Sequence, residues 1–574
     1  MRQFRYETIA TGRQGFNVSD VLILLSIATL LYAGVRLAFA APAVLAGPEI
    51  TLSPVALPWY AALSLGRMTA SYCLSIFFSL LFGYAAYENP KARPVLIPAL
   101  DVLQSVPLLS FLPVVLLGFS AIFPERMAAE LSSIVLIFTS QAWNIAFSFY
   151  QSLSGVPREL REATAVFRLD RWLRFRKLEL PFAAIGLIWN SVVSWSGGWF
   201  FLMAAEIFHV GNRDFRLPGL GAYLQTAAIA GDFRAVFSGV AVLILVIVLL
   251  DQLIWRPLIA WSHKFKVELV QDEDPPTSWF LDVLTRSWTL ARIHAPLQVL
   301  SDRLDALLHR RLGEPSWFPE PSSSHPRFSP WRWGVSGALV LILGYVAYHS
   351  AALLGTVSAS EWRTLAQAVL ATCARVAVAL FLAVLWTVPV GVAIGTNPRL
   401  ANLLQAVVQV IAAVPATALF PILLLALLHV PAGLNIAATL LMLMGIQWYI
   451  LFNVIAGAAA IPADLLHTTR LLNLSRLDRW RTLILPALFP YIVTGCVVAG
   501  GGAWNASIVA EYVEFGGQTH ATLGVGAVIA RATADSNYGL LLAGTLALVL
   551  TVVLINRTIW RKLYHLAERR YLMD

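Results

Sequence analysis

The chain has 574 residues, of which 58% are hydrophobic and only 13% charged, and its mean hydropathy is +0.71. A soluble fold needs roughly 25% charged residues to dress its surface, so these values exclude an ordinary soluble protein and indicate a polytopic membrane protein. The net charge of +9 could point to nucleic acid, but the placement of the cations fits membrane orientation instead, and no nucleic-acid partner is expected.

Runs of about 20 apolar residues, the length that crosses a bilayer, occur in the first part of the chain at 21–40, 64–87, 95–123, 128–153, 181–205 and 235–255. Six more follow at 333–353, 371–395, 400–430, 433–459, 486–510 and 538–559. The expected fold is therefore all-α, with about twelve transmembrane helices. The third and ninth runs carry Pro107 and Pro113, then Pro415 and Pro421, so kinks or breaks are expected there. Residues 52–62, with Pro54 and Pro58, read as a loop or half-helix. If the N-terminus is cytoplasmic, 32 of the 41 Lys and Arg fall on the cytoplasmic side, which places both termini and the central linker there. No cleavage site follows the first apolar run, so it reads as an anchor rather than a removed signal.

Shifting the sequence by 308 pairs Arg67 with Arg375, Gly83 with Gly391, Pro107 with Pro415 and Pro113 with Pro421. Past a three-residue deletion the offset becomes 305, pairing Leu180-Pro181 with Leu485-Pro486, Trp199 with Trp504, Glu206 with Glu511 and Gly221 with Gly526. The chain is thus a duplication: a first half at 1–256, a cytoplasmic linker at 257–331 and a second half at 332–574. An even number of spans per half makes the repeat parallel, with a path expected between the halves. Within the linker, Trp279, Leu281, Leu284, Trp288, Leu300, Leu304 and Leu308 recur at helical spacing, which fits amphipathic helices on the membrane or on a partner.

Each half has a long basic cytoplasmic segment between its fourth and fifth spans, far longer than the roughly five residues a chain reversal needs. It has room for two short helices and carries small residues for close approach, as a docking element would. The first copy holds Glu162, Ala163, Thr164 and Arg168 before Leu180-Pro181; the second holds His467, Thr468, Thr469 and Asn473 before Leu485-Pro486. This spacing resembles the permeases of ABC importers, whose loop carries E-A-A, a Gly four residues later and then I-x-L-P. Thr164, Arg168 and Leu178 depart from that pattern in the first copy, and His467, Thr468, Thr469, Asn473 and Leu483 in the second. Asn adopts the left-handed turn that such a Gly serves more readily than Arg does. Ala205-Glu206 with Pro218-Gly219-Leu220-Gly221, and Ala510-Glu511 with Leu523-Gly524-Val525-Gly526, resemble the A-E and G-L-G elements of nitrate, sulfonate, taurine and bicarbonate permeases. The resemblance covers most of both halves but not the linker.

The resemblance implies the following. The fold would be that of an ABC importer permease, in the cytoplasmic (inner) membrane of a bacterium or archaeon. The partners would be two ATPase subunits, or one ATPase homodimer, and a periplasmic or lipid-anchored substrate-binding protein, with membrane lipid around the chain and a small anion as substrate. ATP and magnesium would be held by the ATPase, since this chain has no Gly-Lys pair and hence no P-loop. No metal site is expected either: the histidines are scattered, and Cys73, Cys373 and Cys496 lie singly in apolar runs.

Six residues are candidates for the path. Burying an Arg at a membrane centre costs about 2.5 to 3.5 kcal/mol, so Arg67 and Arg375 either present bidentate donors to an oxyanion or snorkel to the outer headgroups. Glu206 and Glu511 either pair with arginines as a gate or sit solvated at the interface. Trp199 and Trp504, which follow small residues, either line a gate or simply pack. An alternative function is a secondary transporter driven by an ion gradient, which the long basic loops and the scarcity of membrane carboxylates disfavour. An enzyme or scaffold lacks any polar catalytic cluster.

Overall fold

The computed structural model describes residues 47–265, 278–286, 347–397, 414–459 and 471–563, apart from 91, 106, 168, 211, 212, 428, 516 and 517, together with isolated positions elsewhere. In the first half the helices are α1 (Leu57–Glu88), α2 (Arg93–Ser105), α3 (Leu112–Ser120), α4 (Glu125–Ser154), α5 (Arg158–Val166), α6 (Leu180–Glu206), α7 (Leu220–Ile229) and α8 (Phe233–Leu250). The second half contributes α9 (Ala359–Gly395), α10 (Ala416–Leu427), α11 (Gly433–Ala459), α12 (Leu485–Ala510), α13 (Val525–Ala534) and α14 (Tyr538–Ile555).

Among the described residues, eight helices are long and apolar enough to cross a membrane, not about twelve. The expected spans at 21–40 and 333–353 fall largely outside the described residues, as does the first part of 400–430. The third span is broken. Pro107 has no N–H to continue a helix and takes an extended conformation, with ψ 108°. The chain restarts as a 3₁₀ turn, Leu108–Phe111, and then α3, where Pro113 sits in the first turn and sacrifices no bond. The stretch 52–62, read as a loop or half-helix, is a 3₁₀ turn, Pro54–Ala56, running into α1. Pro58 there occupies the helix start, which proline tolerates. Of the linker, the helix Arg256–Ser262 with the 3₁₀ turn His263–Phe265 and the helix Trp279–Arg286 are described; the amphipathic positions Trp288, Leu300, Leu304 and Leu308 lie outside.

The fold is also not strictly all-α. Two antiparallel hairpins follow the matching helices α6 and α12: β1 (His209–Val210) with β2 (Arg213–Asp214), and β3 (Tyr512–Phe515) with β4 (Gln518–Ala521).

The duplication is visible in the packing. In the first half α4 lies between α1 and α6; in the second, α11 lies between α9 and α12. A Cβ added at Gly83 would stand 2.7 Å from Phe149 Cδ1, and one at Gly391 2.7 Å from Val454 Cγ1. Phe149 and Val454 are themselves matching positions, so both glycines allow the same close helix crossing. One turn of π-helix recurs at matching places, Phe175–Glu179 and Trp480–Ile484, then Asp251–Trp255 and Asn556–Trp560. At the first pair, Leu180 N–H donates to Phe175 O and Leu485 N–H to Trp480 O. Each π-turn therefore immediately precedes Pro181 or Pro486, whose missing N–H already interrupts the regular pattern.

The halves exchange their broken helices. Helix α10 packs on α6 and α7 of the first half, and the turn Leu108–Phe111 packs on α12 of the second. Leu109 N–H donates to Asn505 Oδ1 at 3.1 Å, and at the equivalent pair Thr417 Oγ1 donates to the Phe200 carbonyl at 3.5 Å. One apolar core, containing Leu109, Leu117, Ala205, Trp504 and Leu541, runs through both halves.

Candidate functional site

The site begins with α1, whose buried face reads Ser64, Arg67, Met68, Ser71, Ser75 and Ser79. This three-and-four spacing turns small side chains toward α4. Arg67, the eleventh residue of α1, lies about 15 Å along the helix from its start. Its side chain is 4% exposed and that of Glu206 is 0% exposed, so neither the snorkelling nor the solvated reading holds. Arg67 Nη1 donates to Glu206 Oε1 at 2.9 Å and to the Pro218 carbonyl at 2.9 Å. Its Nε and Nη2 form a two-pronged pair with Glu130, both at 2.6 Å.

Glu206 is satisfied from several directions. Ser64 Oγ donates to Oε1 at 2.6 Å and Gly221 N–H to Oε2 at 2.7 Å. Ser64 Oγ in turn accepts from Leu220 N–H at 3.0 Å. The first turn of α7 thus spends two of its otherwise unpaired N–H groups on this cluster. A Cβ at Gly219 would collide with the Glu206 carboxylate, which explains why glycine stands there: the carboxylate fills the space a side chain would take.

The second half repeats the arrangement with different chemistry. Arg375 Nη1 donates to Glu511 Oε1 at 2.6 Å, Thr372 Oγ1 donates to the same oxygen at 2.7 Å, and Gly526 N–H donates to Oε2 at 2.9 Å. Val525 N–H donates to Thr372 Oγ1 at 3.0 Å. The position of Glu130 is taken by Asn435, whose Oδ1 accepts from Arg375 Nη2 at 2.8 Å. Arg375 Nη2 also reaches Thr522 Oγ1 at 3.0 Å and the Leu523 carbonyl at 2.6 Å. Glu511 is 0% exposed, and a Cβ at Gly524 would collide with its carboxylate. Each half therefore holds an arginine clasp, joining α1, the end of α6 and the Gly219–Gly221 turn in the first, and α9, the end of α12 and the Gly524–Gly526 turn in the second.

Trp199 and Trp504 are buried, Trp199 in a core built mainly from the first half with Ala418 of the second, and Trp504 in the core shared by both halves. Sequence reasoning missed Glu130, Ser64 and Thr372. The repeat offset was the available signal, because it pairs Glu130 with Asn435 and Ser64 with Thr372.

Between α4 and α6, the expected pair of short helices is present in the first half as α5 and Arg171–Arg174. Glu162 is exposed on α5, Ala163 and Thr164 are partly buried, and Arg168 lies outside the described residues. Thr164 Oγ1 donates to the Arg161 carbonyl at 2.6 Å. In the second half His467 lies outside the described residues, while Thr468 and Thr469 are helical. Leu169 N–H donates to Thr164 O at 3.0 Å and Leu474 N–H to Thr469 O at 3.2 Å, so both helices end on the same wide turn. Asn473 stands in that turn with φ 49°, the left-handed conformation expected of it. Just before the turn both copies expose two large apolar side chains, Val166 and Phe167 in one, Leu471 and Leu472 in the other.

Two repeated helical bundles, a shared seam and matched loops before the π-turns define a duplicated polytopic membrane protein. The family described as binding-protein-dependent transport system inner membrane component matches residues 75–254 and again 387–570. The chain belongs to that family, and it is a multi-pass inner-membrane protein. It is 34% identical over 146 residues to the nitrate import permease protein NrtB of Leptolyngbya laminosa, a match covering 25% of this chain and 51% of that one. It is 34% identical over 155 residues to the bicarbonate transport system permease protein CmpB of a Synechocystis strain, covering 27% and 52%. With the taurine transport system permease protein TauC of Escherichia coli it shares 24% identity over 262 residues, covering 40% and 90%. The chain thus spans about half the length of the nitrate and bicarbonate relatives it matches.

Proposed function

We propose that the chain is the whole transmembrane part of an ATP-driven ABC importer for a small anion, with the translocation path between its halves. The observation that carries this reading is the double family match, at 75–254 and 387–570, on a chain whose halves share one seam. A single chain then does what two separate permease subunits would otherwise do. The substrate class rests on relatives named for nitrate, bicarbonate and taurine. The halves are taken as 1–256 and 332–574, joined by a cytoplasmic linker at 257–331, with both termini cytoplasmic.

On this reading α5, with Glu162, Ala163, Thr164 and Arg168, and its counterpart with His467, Thr468, Thr469 and Asn473, dock on two ATPase subunits or one homodimer. Those subunits bind ATP and magnesium, and a substrate-binding protein delivers the anion to the outer hairpins. The exposed apolar pair beside each turn suits insertion into a groove on such a partner. Arg67 with Glu206 and Arg375 with Glu511 act on the path as clasps that hold its outer walls. Their hydrogen-bonding groups are already committed within the protein, which leaves them poorly placed to serve as free anion ligands. Trp199 and Trp504 stiffen the walls from behind. ATP-driven rocking of the halves alternates access.

The test is uptake into proteoliposomes holding the chain, its ATPase and its binding protein, with nitrate, bicarbonate, taurine and an alkanesulfonate as probes and a neutral sugar as control. Saturable, ATP-dependent uptake of at least one anion is expected. Uptake driven by an ion gradient without ATP hydrolysis would establish a secondary transporter instead. In the same preparation Glu162→Lys is expected to lower ATP hydrolysis stimulated by the loaded binding protein severalfold, whereas unchanged stimulation removes Glu162 from the coupling element.

A further inference from the structure

We infer that Arg174 is a positioning residue for energy coupling, and that it serves the first half alone. The inference rests on the reading of α5 as the ATPase-docking helix. Arg174 stands where the cytoplasmic loop turns into α6. It pairs with Glu88, the last residue of α1, and its Nε donates to Glu179 Oε1 at 2.9 Å. Glu179 belongs to the π-turn just before Leu180-Pro181 and is buried. One guanidinium therefore ties the end of α1 to the root of α6 across that turn.

The coupling helix is fastened to the same place. Arg161, on α5, donates from Nη2 to the Val156 carbonyl at 2.9 Å and to the Ser154 carbonyl at 3.3 Å. Its guanidinium lies over the ring of Tyr87, 5.8 Å from the centroid, a favourable cation–π arrangement. Tyr87 is the chain neighbour of Glu88. Displacing α5 in the first half therefore pulls on the ends of α4, α1 and α6 together.

The second half keeps the arginine and loses its partners. Arg174 corresponds to Arg479, Glu179 to Ile484, Glu88 to Thr396 and Tyr87 to Gly395. Arg479 makes no ion pair among the described residues. Ile484 is buried, and Thr396 turns its hydroxyl back to Val392 O at 2.7 Å. At Gly395 a Cβ would lie 2.5 Å from the Ile455 carbonyl, so α9 meets α11 there backbone to backbone, leaving no room for a ring like Tyr87. The same π-turn, Trp480–Ile484, joins loop to helix, yet nothing equivalent to the Glu88–Arg174–Glu179 tie braces it among the described residues. A π-turn departs from regular helix geometry and is a natural point of compliance. Motion of the first coupling helix is passed on stiffly, that of the second through a yielding joint.

The tie can be tested on the chain itself. In a background with Cys73, Cys373 and Cys496 replaced by Ser, spin labels at Ala163→Cys and Phe77→Cys report the first half. Labels at the equivalent positions, Thr468→Cys and Leu385→Cys, report the second; Phe77 and Leu385 are both exposed on the outer faces of α1 and α9. The distance distribution is expected to be narrow in the first half and broad in the second, with Arg174→Ala broadening the first and Arg479→Ala changing neither. Equal widths in the two halves, or no response to Arg174→Ala, overturn the inference. Should Arg174→Ala fail to fold, Glu179→Gln makes the same comparison.

In the assembled transporter, Arg174→Ala is expected to cut the ratio of stimulated to unstimulated ATP hydrolysis severalfold, Arg174→Lys to restore part of it, and Arg479→Ala to leave it unchanged. Equal losses from Arg174→Ala and Arg479→Ala contradict a one-sided tie. If no ATPase assembles with the wild-type chain, the proposed function has failed, and the label distances still decide whether the tie exists.

Discussion

The two arginine clasps occupy matching places and solve the same problem with different charge. In the first half Arg67 faces two carboxylates, Glu206 and Glu130; in the second Arg375 faces one, Glu511, and completes its shell with the neutral oxygens of Asn435, Thr522 and Leu523. What both retain is the carboxylate buried against the G-x-G turn. The outer carboxylate varies: the Glu130 side chain is 39% exposed near the start of α4, and in the second half an amide oxygen takes over its acceptor role. The buried pair is thus the fixed element of the clasp, and the outer acceptor is adjustable.

The comparison breaks most sharply at the buried carboxylates. Removing one member of a buried ion pair typically costs about 3 to 5 kcal/mol. Glu511→Ala should fall in that range, because Arg375 keeps only neutral acceptors, while Glu206→Ala should cost less, because Arg67 keeps Glu130. Thermal unfolding of the detergent-purified chain checks the order, and a larger loss from Glu206→Ala would contradict it. Next come the glycines. Gly219→Ala and Gly524→Ala force a methyl into space filled by a carboxylate, an overpacking worth about 1 to 3 kcal/mol; unfolding temperatures equal to wild type would show that the turns relax freely.

The hydroxyl donors contribute on a similar scale. Ser64→Ala and Thr372→Val each strip a donor from the carboxylate and leave the N–H of Leu220 or Val525 without its acceptor, a loss of about 1 to 3 kcal/mol. The two should be alike, since both hydroxyls make the same pair of bonds. Smallest of all, Glu130→Asn, which gives the first clasp the second's chemistry, should cost under about 1 kcal/mol. A loss as large as that from Glu511→Ala would mean that the outer acceptor is no less essential than the buried one.

The repeat was legible in the sequence because its landmarks are residues that packing cannot easily replace: Gly83 and Gly391 at tight crossings, Pro107 and Pro415 at helix breaks, and Gly221 and Gly526 donating to the clasp carboxylates. Arg67, Arg375, Glu206 and Glu511 stood out for their cost in a membrane. Their pairing did not, because the partners lie 139 and 136 residues apart and the sequence offers no register between helices. Hydropathy alone sums apolar residues without regard to a missing N–H, and it was the prolines that marked the third run as broken: Pro107 ends one helix inside a largely apolar run. Pro58, which left a loop and a half-helix both open, stands in the first turn of a full-length helix, since a proline's effect depends on whether it stands in the first turn or beyond it. The hairpins after α6 and α12 are too short for an alternating pattern to reveal them.

On the proposed function, one duplicated chain forms the entire membrane part of an ATP-driven transporter. The mass of the intact complex, purified in mild detergent and measured by native mass spectrometry, decides this. One copy of this chain with two ATPase subunits is the predicted result; two copies of the chain in one assembly, or a chain that purifies without any ATPase, would contradict it.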